Sequence, residues 1–167
     1  MKKCIYLAEG ECEEKLLNAL KEKPSLVIPG KVKKFNVIQD VIPRSMLMQF
    51  DPGILVVLVF DTDKETTEYL KKNIEMLKNL SFKVRTATVV QVLNFEHEIE
   101  RSTDVKRAID LTKSRSLDDF KAQVNKMKAN EFRNALHRHK FDVTKLWEQD
   151  PPAAFDFVKQ ESEKIKI

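Results

Sequence analysis

The sequence predicts an α/β fold: a four-stranded, mainly parallel sheet flanked by helices, followed by a basic helical extension. Three observations carry that prediction. The first is Ile54-Leu55-Val56-Val57-Leu58-Val59-Phe60, seven consecutive apolar residues that follow Pro52-Gly53 and run into Asp61-Thr62-Asp63. A run this short and this uniformly apolar reads as a strand buried on both faces, at the centre of a parallel sheet. The second is the alternation of strand-like and helix-like segments as far as Val90, the pattern of βαβ units with right-handed crossovers. The third is a change of character at Asn94, beyond which the chain turns helical and basic.

Length and composition set the frame. A chain of 167 residues with 42% hydrophobic and 34% charged side chains suits one globular domain, long enough to bury roughly 70% of its unfolded surface. No apolar run approaches the ~20 residues of a bilayer span, and Met1-Lys2-Lys3 leads into a strand rather than a signal sequence. The two cysteines, Cys4 and Cys12, make neither a disulfide framework nor a zinc site, so the expected compartment is a reducing cytoplasm. Net charge is +4 overall, yet residues 101–148 hold twelve Lys/Arg against seven acids, +5, leaving about −1 for the rest. An acidic-mouthed first part joined to a basic second part suits a polyanionic substrate. A solvated helical surface reads equally well from the same charges.

Taken in order, residues 4–8 form the first strand, ending at Glu9-Gly10-Glu11, and residues 12–21 a helix with Leu16, Leu17 and Leu20 as its apolar stripe. Gly10, one of three glycines, sits where a side chain would obstruct the strand-to-helix turn. Residues 34–38 read as the second strand with Val32 leading in, and 41–50 as a short, weakly defined helix. The central strand, 54–60, precedes a helix over 65–78 with Tyr69, Leu70, Ile74 and Leu77 on one face. Residues 82–90 alternate less hydrophobically and are expected nearer an edge. A strand order of 2-1-3-4 sets Glu9 opposite Asp61 and Asp63 at the switch point, where open α/β sheets bind ligands. Asn94 caps a helix with Phe95 and Ile99 packed inward, and residues 104–111, 117–127, 131–139 and 153–165 are further helices. Trp147, the only tryptophan, is expected to anchor the packing of the tail.

Two carboxylates at the mouth of a buried strand repel each other, and a divalent metal is the usual remedy; a strand ending in a polar turn is the plainer alternative. Tyr6-Leu7-Ala8-Glu9-Gly10-Glu11 and Val57-Leu58-Val59-Phe60-Asp61-Thr62-Asp63 together resemble the Toprim domain, the metal-binding α/β module of topoisomerases, primases and OLD-family nucleases. In that family a Glu-Gly motif closes the first strand and an Asp-x-Asp motif the third. The resemblance covers residues 1–95 as a core, with 96–167 a helical basic extension packed on it as one compact domain. It implies Mg2+ or Mn2+ held by Glu9, Glu13, Asp61, Asp63 and Glu96, with Glu9, Asp61 and Asp63 as catalytic residues. Phe95-Glu96 is similar to a phenylalanine–glutamate pair of some defence-associated Toprim proteins. Glu98 is a further candidate ligand, although both acids also complement the dipole of an exposed first helical turn.

Lys113, Arg115 and Lys121 are the candidate nucleic-acid contacts, or else ordinary surface charges around a helix start. His137 and His139, two apart on a helix, do not face each other. His97 stands beside the acids, and Cys12 lies near a helix N-terminus without a partner base. The function the resemblance implies is a Mg2+-dependent nuclease or related phosphodiester-cleaving enzyme on DNA or RNA, in defence against phage or mobile elements. A partner protein or homo-oligomer is compatible with it. The alternatives are a Toprim-like module that binds nucleic acid or a partner without cleaving, and an aspartate-based phosphatase.

Overall fold

A computed structural model describes residues 4–167, with Met1-Lys2-Lys3 outside the described residues. Strands β1 (Cys4–Ala8), β2 (Lys31–Lys34), β3 (Leu55–Asp61) and β4 (Arg85–Gln91) form one sheet in the order β2-β1-β3-β4, and every pairing is parallel. This is the order expected from the sequence, with the less hydrophobic β4 at an edge. Helices α1 (Glu11–Lys21), α2 (Arg44–Met48), α3 (Glu68–Asn79), α4 (Phe95–Ser102), α5 (Leu117–Lys126) and α6 (Ala129–Arg138) complete the regular structure, with single 3-10 turns at Ala108–Leu111, Ala153–Phe155 and Ser162–Lys164. Among the described residues no helix is long and apolar enough to cross a membrane.

Alternate side chains of a strand point to opposite faces, and the chain uses both. On one face Tyr6, Ala8, Val57, Val59, Ala87 and Val89 pack with Leu16, Leu17 and Leu20 of α1, Phe95 and Ile99 of α4, and Phe120, Phe132 and Trp147 beyond. On the other, Ile5, Leu7, Val56, Leu58, Phe60 and Val90 pack with Val37, Ile42, Phe50, Leu70, Leu77 and Phe155. Helix α1 lies against α5 and α6, and Arg133 of α6 caps its C-terminal end by donating to the carbonyls of Ala19, Glu22 and Pro24. Buried Asn73 of α3 ties the loop after β2 to the second face: its Oδ1 accepts from Ile42 N–H at 2.7 Å, and its Nδ2 donates to the carbonyls of Val37 and Asp40.

Several elements depart from their expected bounds. The second strand is residues 31–34 rather than 34–38, because Asn36 accepts the N–H groups of Ile38 and Gln39 on its own side chain and folds the chain into a turn. Val37 and Ile38 still reach the core from that turn. The weakly defined helix shortens to α2, which starts after Pro43. Helix α3 begins at Glu68, with Tyr69 45% exposed and Asn73 in the buried stripe instead. Strand β4 begins three residues late, leaving Phe82 85% exposed in the turn before it, and continues one residue further, to Gln91. Residues 104–111 contain only a 3-10 turn.

The largest correction concerns residues 153–165, which do not form a helix. Short local turns alternate there with tertiary bonds: Glu161 N–H donates to the Thr88 carbonyl at 2.9 Å, and Ile28 N–H donates to the Ile165 carbonyl at 2.8 Å. The Glu161 carboxylate accepts from Thr88 N–H, and the Gln160 amide both accepts from Val90 N–H and donates to its carbonyl. Helical segments α5 and α6 carry part of the basic charge, but the extension past His139 is irregular.

Candidate metal and phosphodiester site at the strand mouths

The carboxyl ends of β1 and β3 lie side by side, Ala8 opposite Val59, so the residues that follow, Glu9 and Asp61, meet. Asp61 N–H donates to Glu9 Oε2 at 2.8 Å, and Asn36 Nδ2 donates to Glu9 Oε1 at 3.1 Å. Helix α1 then starts at the Gly10 N-cap and brings Glu13 back over the turn. A Cβ on Gly10 would stand 2.9 Å from Glu13 Oε2, so a larger residue there would push that carboxylate oxygen aside. From the far side, β4 places Gln91 opposite Asp61. Gln91 Nε2 donates to Glu13 Oε1 at 3.2 Å and to Asp61 Oδ1.

These acids stand in a poor environment for charge. Burial pushes the Asp61 carboxyl up to about 9, with the charges of Glu13, Glu9 and Asp63 adding to it and the Gln91 hydrogen bond opposing. Burial likewise raises Glu13 and Glu9, the latter against the Asp61 N–H and Asn36 bonds that favour its anion. Clustered like charges out of water hold protons unless a cation joins them.

Glu96 enters from the first turn of α4, buried, with Oε1 at 2.9 Å from Lys121 Nζ of α5. That carboxylate holds the Lys121 ammonium above its ordinary range. Glu13, Asp61 and Glu96 share the wall of a cavity of about 310 Å3 whose rim carries Lys34 and Lys121. Lys34 Nζ pairs with Glu11 at 3.1 Å, and Glu11 also accepts from Asn125 of α5.

The structure thus brings Glu9, Glu13, Asp61 and Glu96 to one place, with Asp63 near enough for its charge to raise both Glu9 and Asp61. Thr62, between the aspartates, is buried: its N–H donates to the Gln91 and Leu93 carbonyls, and its hydroxyl donates to the Gln91 carbonyl while accepting Leu93 N–H. Asp63 follows in the exposed loop before α3 and does not line the cavity. Glu98 is taken by the fold, its oxygens accepting from Val92 N–H, Trp147 N–H and Arg101. Lys121 reaches the cavity, whereas Lys113 and Arg115 lie exposed on the turn before α5. His97 Nδ1 lies 2.7 Å from its own helix cap, Asn94 Oδ1. His137 is exposed, and His139 lies 3.1 Å from Asp104. The Cys12 thiol, contacting Asn125, is pushed up to about 12 by burial and by Glu13, so it stays protonated despite its place on α1.

Lys34, Asn36, Gln91 and Trp147 are residues at or behind the site that sequence reasoning did not assign. Asn36 and Gln91 bond directly to the acids, Lys34 stands on the cavity rim, and Trp147 stands behind Gln91.

Among the described residues no three His, Cys, Asp or Glu side chains form a ready-made metal-ligating group. In kind, the carboxylates of Glu13, Asp61 and Glu96 are hard oxygen donors that fit Mg2+ or Mn2+, while the Cys12 thiol on the same wall stays protonated and Lys121 already pairs with Glu96. Amide and backbone N–H groups hold these oxygens now, in place of a closed ligand shell. Comparison with family models, with curated proteins and with solved structures finds no match for this chain.

Proposed function

We propose that the protein is a Mg2+- or Mn2+-dependent phosphodiester hydrolase of nucleic acid, with a Toprim-like core. The observation that carries this reading is the meeting of Glu9, Glu13, Asp61 and Glu96 at the strand mouths beneath a rim of Lys34 and Lys121. A divalent ion bound by such a cluster supplies charge stabilisation at phosphate and an activated water. The residues of the chain contribute the rest. Asp61, Glu13 and Glu96 offer the oxygens that hold the ion, with Asp63 available from the neighbouring loop. Glu9, raised by burial toward the working pH, suits the role of proton acceptor. Lys121 and Lys34, on the cavity rim, would neutralise a phosphate entering it, and Lys113 and Arg115, exposed on the turn before α5, would contact the nucleic acid outside it. Two free, buried cysteines accord with a reducing cytoplasm. Defence against phage or mobile elements is the setting that the Toprim resemblance implies.

The test is a cleavage assay on mixed DNA and RNA with Mg2+, Mn2+ or chelator, comparing the parent with Asp61→Asn and Glu9→Gln. Cleavage that needs metal and is lost in both variants supports the reading. Cleavage of equal rate in chelator, or unaltered in both variants, overturns it.

A further inference from the structure

Gln91 closes β4 with its side chain fully buried, in register with Asp61 across the sheet. Both of its N–H groups and its oxygen are engaged. Nε2 donates to Glu13 Oε1 and to Asp61 Oδ1, and Oε1 accepts from the indole Nε1–H of Trp147 at 3.4 Å. The network fixes the amide orientation. Turned over, the Gln91 oxygen would face two carboxylate oxygens, and its NH2 would face the indole N–H.

Trp147 is itself held firmly. It is fully buried, and its backbone adopts a left-handed φ of 54°, a conformation that a bulky residue keeps only where its surroundings impose it. Those surroundings are visible: its N–H donates to Glu98 Oε2 at 2.9 Å, and its carbonyl accepts the Ser162 hydroxyl at 2.7 Å. A continuous chain of hydrogen bonds therefore runs from the C-terminal segment, through Trp147 and Gln91, to two acids of the cavity.

We propose that Gln91 is a positioning residue of the carboxylate site, held in its working orientation by Trp147, so that the C-terminal segment helps to build the site. The proposal rests on the metal-binding reading above. Its chemical logic lies in the choice of an amide. A lysine or arginine at position 91 would also bind Glu13 and Asp61, but would cancel the charge that attracts a cation. A neutral side chain with two N–H groups orients one oxygen of each acid and leaves the charge of the cluster intact. Groups that orient metal ligands from behind typically change metal affinity by about 10- to 100-fold when removed.

Calorimetric titration of the full chain with Mn2+ tests this in the parent, Gln91→Met, Gln91→Lys and Trp147→Phe. Gln91→Met should weaken Mn2+ binding by about tenfold, and Gln91→Lys should abolish it while leaving a folded protein. Trp147→Phe keeps an aromatic ring but deletes the N–H donor, and it should weaken binding by a smaller factor in the same direction. Because Trp147 is the only tryptophan, the parent has a single indole N–H resonance. That resonance should move on adding diamagnetic Mg2+ in the parent and stay still in Gln91→Met, which a merely structural glutamine would not produce. If the parent binds Mn2+ and both Gln91→Met and Trp147→Phe bind it within twofold of the parent, the proposal is wrong while the metal reading stands. If the parent binds neither ion, the metal reading fails and the proposal falls with it.

Discussion

Replacing Asp61 by Asn should make the metal-free protein more stable, and increasingly so as pH rises. In the folded state the Asp61 carboxyl is pushed up to about 9 from an ordinary 3.8. Since the folded value lies above the unfolded one, the stability Asp61 contributes is complete below about pH 4 and fades as pH climbs toward 9. At pH 7 the unfolded chain gains up to about 4 kcal/mol over the folded one, 1.36 kcal/mol for each pH unit above 3.8. Glu9 and Glu13 relieve part of this by adjusting their own protons, so we expect Asp61→Asn to gain about 2 kcal/mol between pH 5 and pH 8 relative to the parent. In a domain of this size that is roughly 4–8 °C of melting temperature. Melting curves in chelator at pH 5, 6, 7 and 8 measure it directly. With Mg2+ at pH 8 the order should reverse, because an ion bound only to the folded parent stabilises it. Parallel pH profiles in chelator, or an Asn variant that melts earlier at pH 8, would refute the claim that Asp61 belongs to a buried, mutually repelling cluster.

Three further outcomes follow from named contacts. Asn73→Leu leaves Ile42 N–H and the Val37 and Asp40 carbonyls without their partner, and should cost about 2–4 kcal/mol in denaturant unfolding. Gly30→Ala should destabilise severely, since its Cβ would stand 2.5 Å from the Cys4 carbonyl oxygen, which belongs to β1 and has no room to move. If nucleic acid binds, reversing Lys113, Arg115 and Lys121 to Glu should lower the slope of log affinity against log salt by about 2–3, as three phosphate contacts are lost. A slope that matches the parent's would exclude those three as phosphate contacts.

What could be read in advance depended on whether local pattern and tertiary demand agreed. At β3 they did: a continuous apolar run needs cover on both faces, and both faces are covered. The Asn94 cap of α4 was equally legible, since a cap is a local bond, here from His97 N–H to Asn94 Oδ1. Strand β2 was misplaced because Val37 and Ile38 satisfy the same apolar pattern from a turn as from a strand, and Asn36 decides between them. The tail was misread because Phe155, Val158 and Ile165 have helical spacing, yet the Thr88 and Val90 backbone offers Gln160 and Glu161 better partners than a helix would. Within the site, Glu9 and Asp61 announce themselves as acids at the ends of apolar runs. Gln91 does not, because a polar residue ending a strand is commonplace and its meaning comes only from lying opposite Asp61. Asp63 lies past the end of β3 in an exposed loop, off the cavity wall, yet its charge still bears on Glu9 and Asp61.

The way residues 160 and 161 engage β4 bears on how the protein behaves in a crowded solution. A parallel sheet presents an open row of backbone donors and acceptors along each outer strand, a template on which another chain can add itself. Along β4 the Gln160 amide and the Glu161 carboxylate fill that row at Thr88 and Val90, with a charged side chain where an incoming strand would have to dock. On the opposite side β2 is Lys31-Val32-Lys33-Lys34, four residues long and cationic, and repels a copy of itself. The tail is therefore a guard against self-association as well as a prop for the site. A chain cut after residue 158 would keep both aspartates but expose β4, and would also lose the buried Ile165 and the Ser162 hydrogen bond to Trp147, so solubility and core would suffer together.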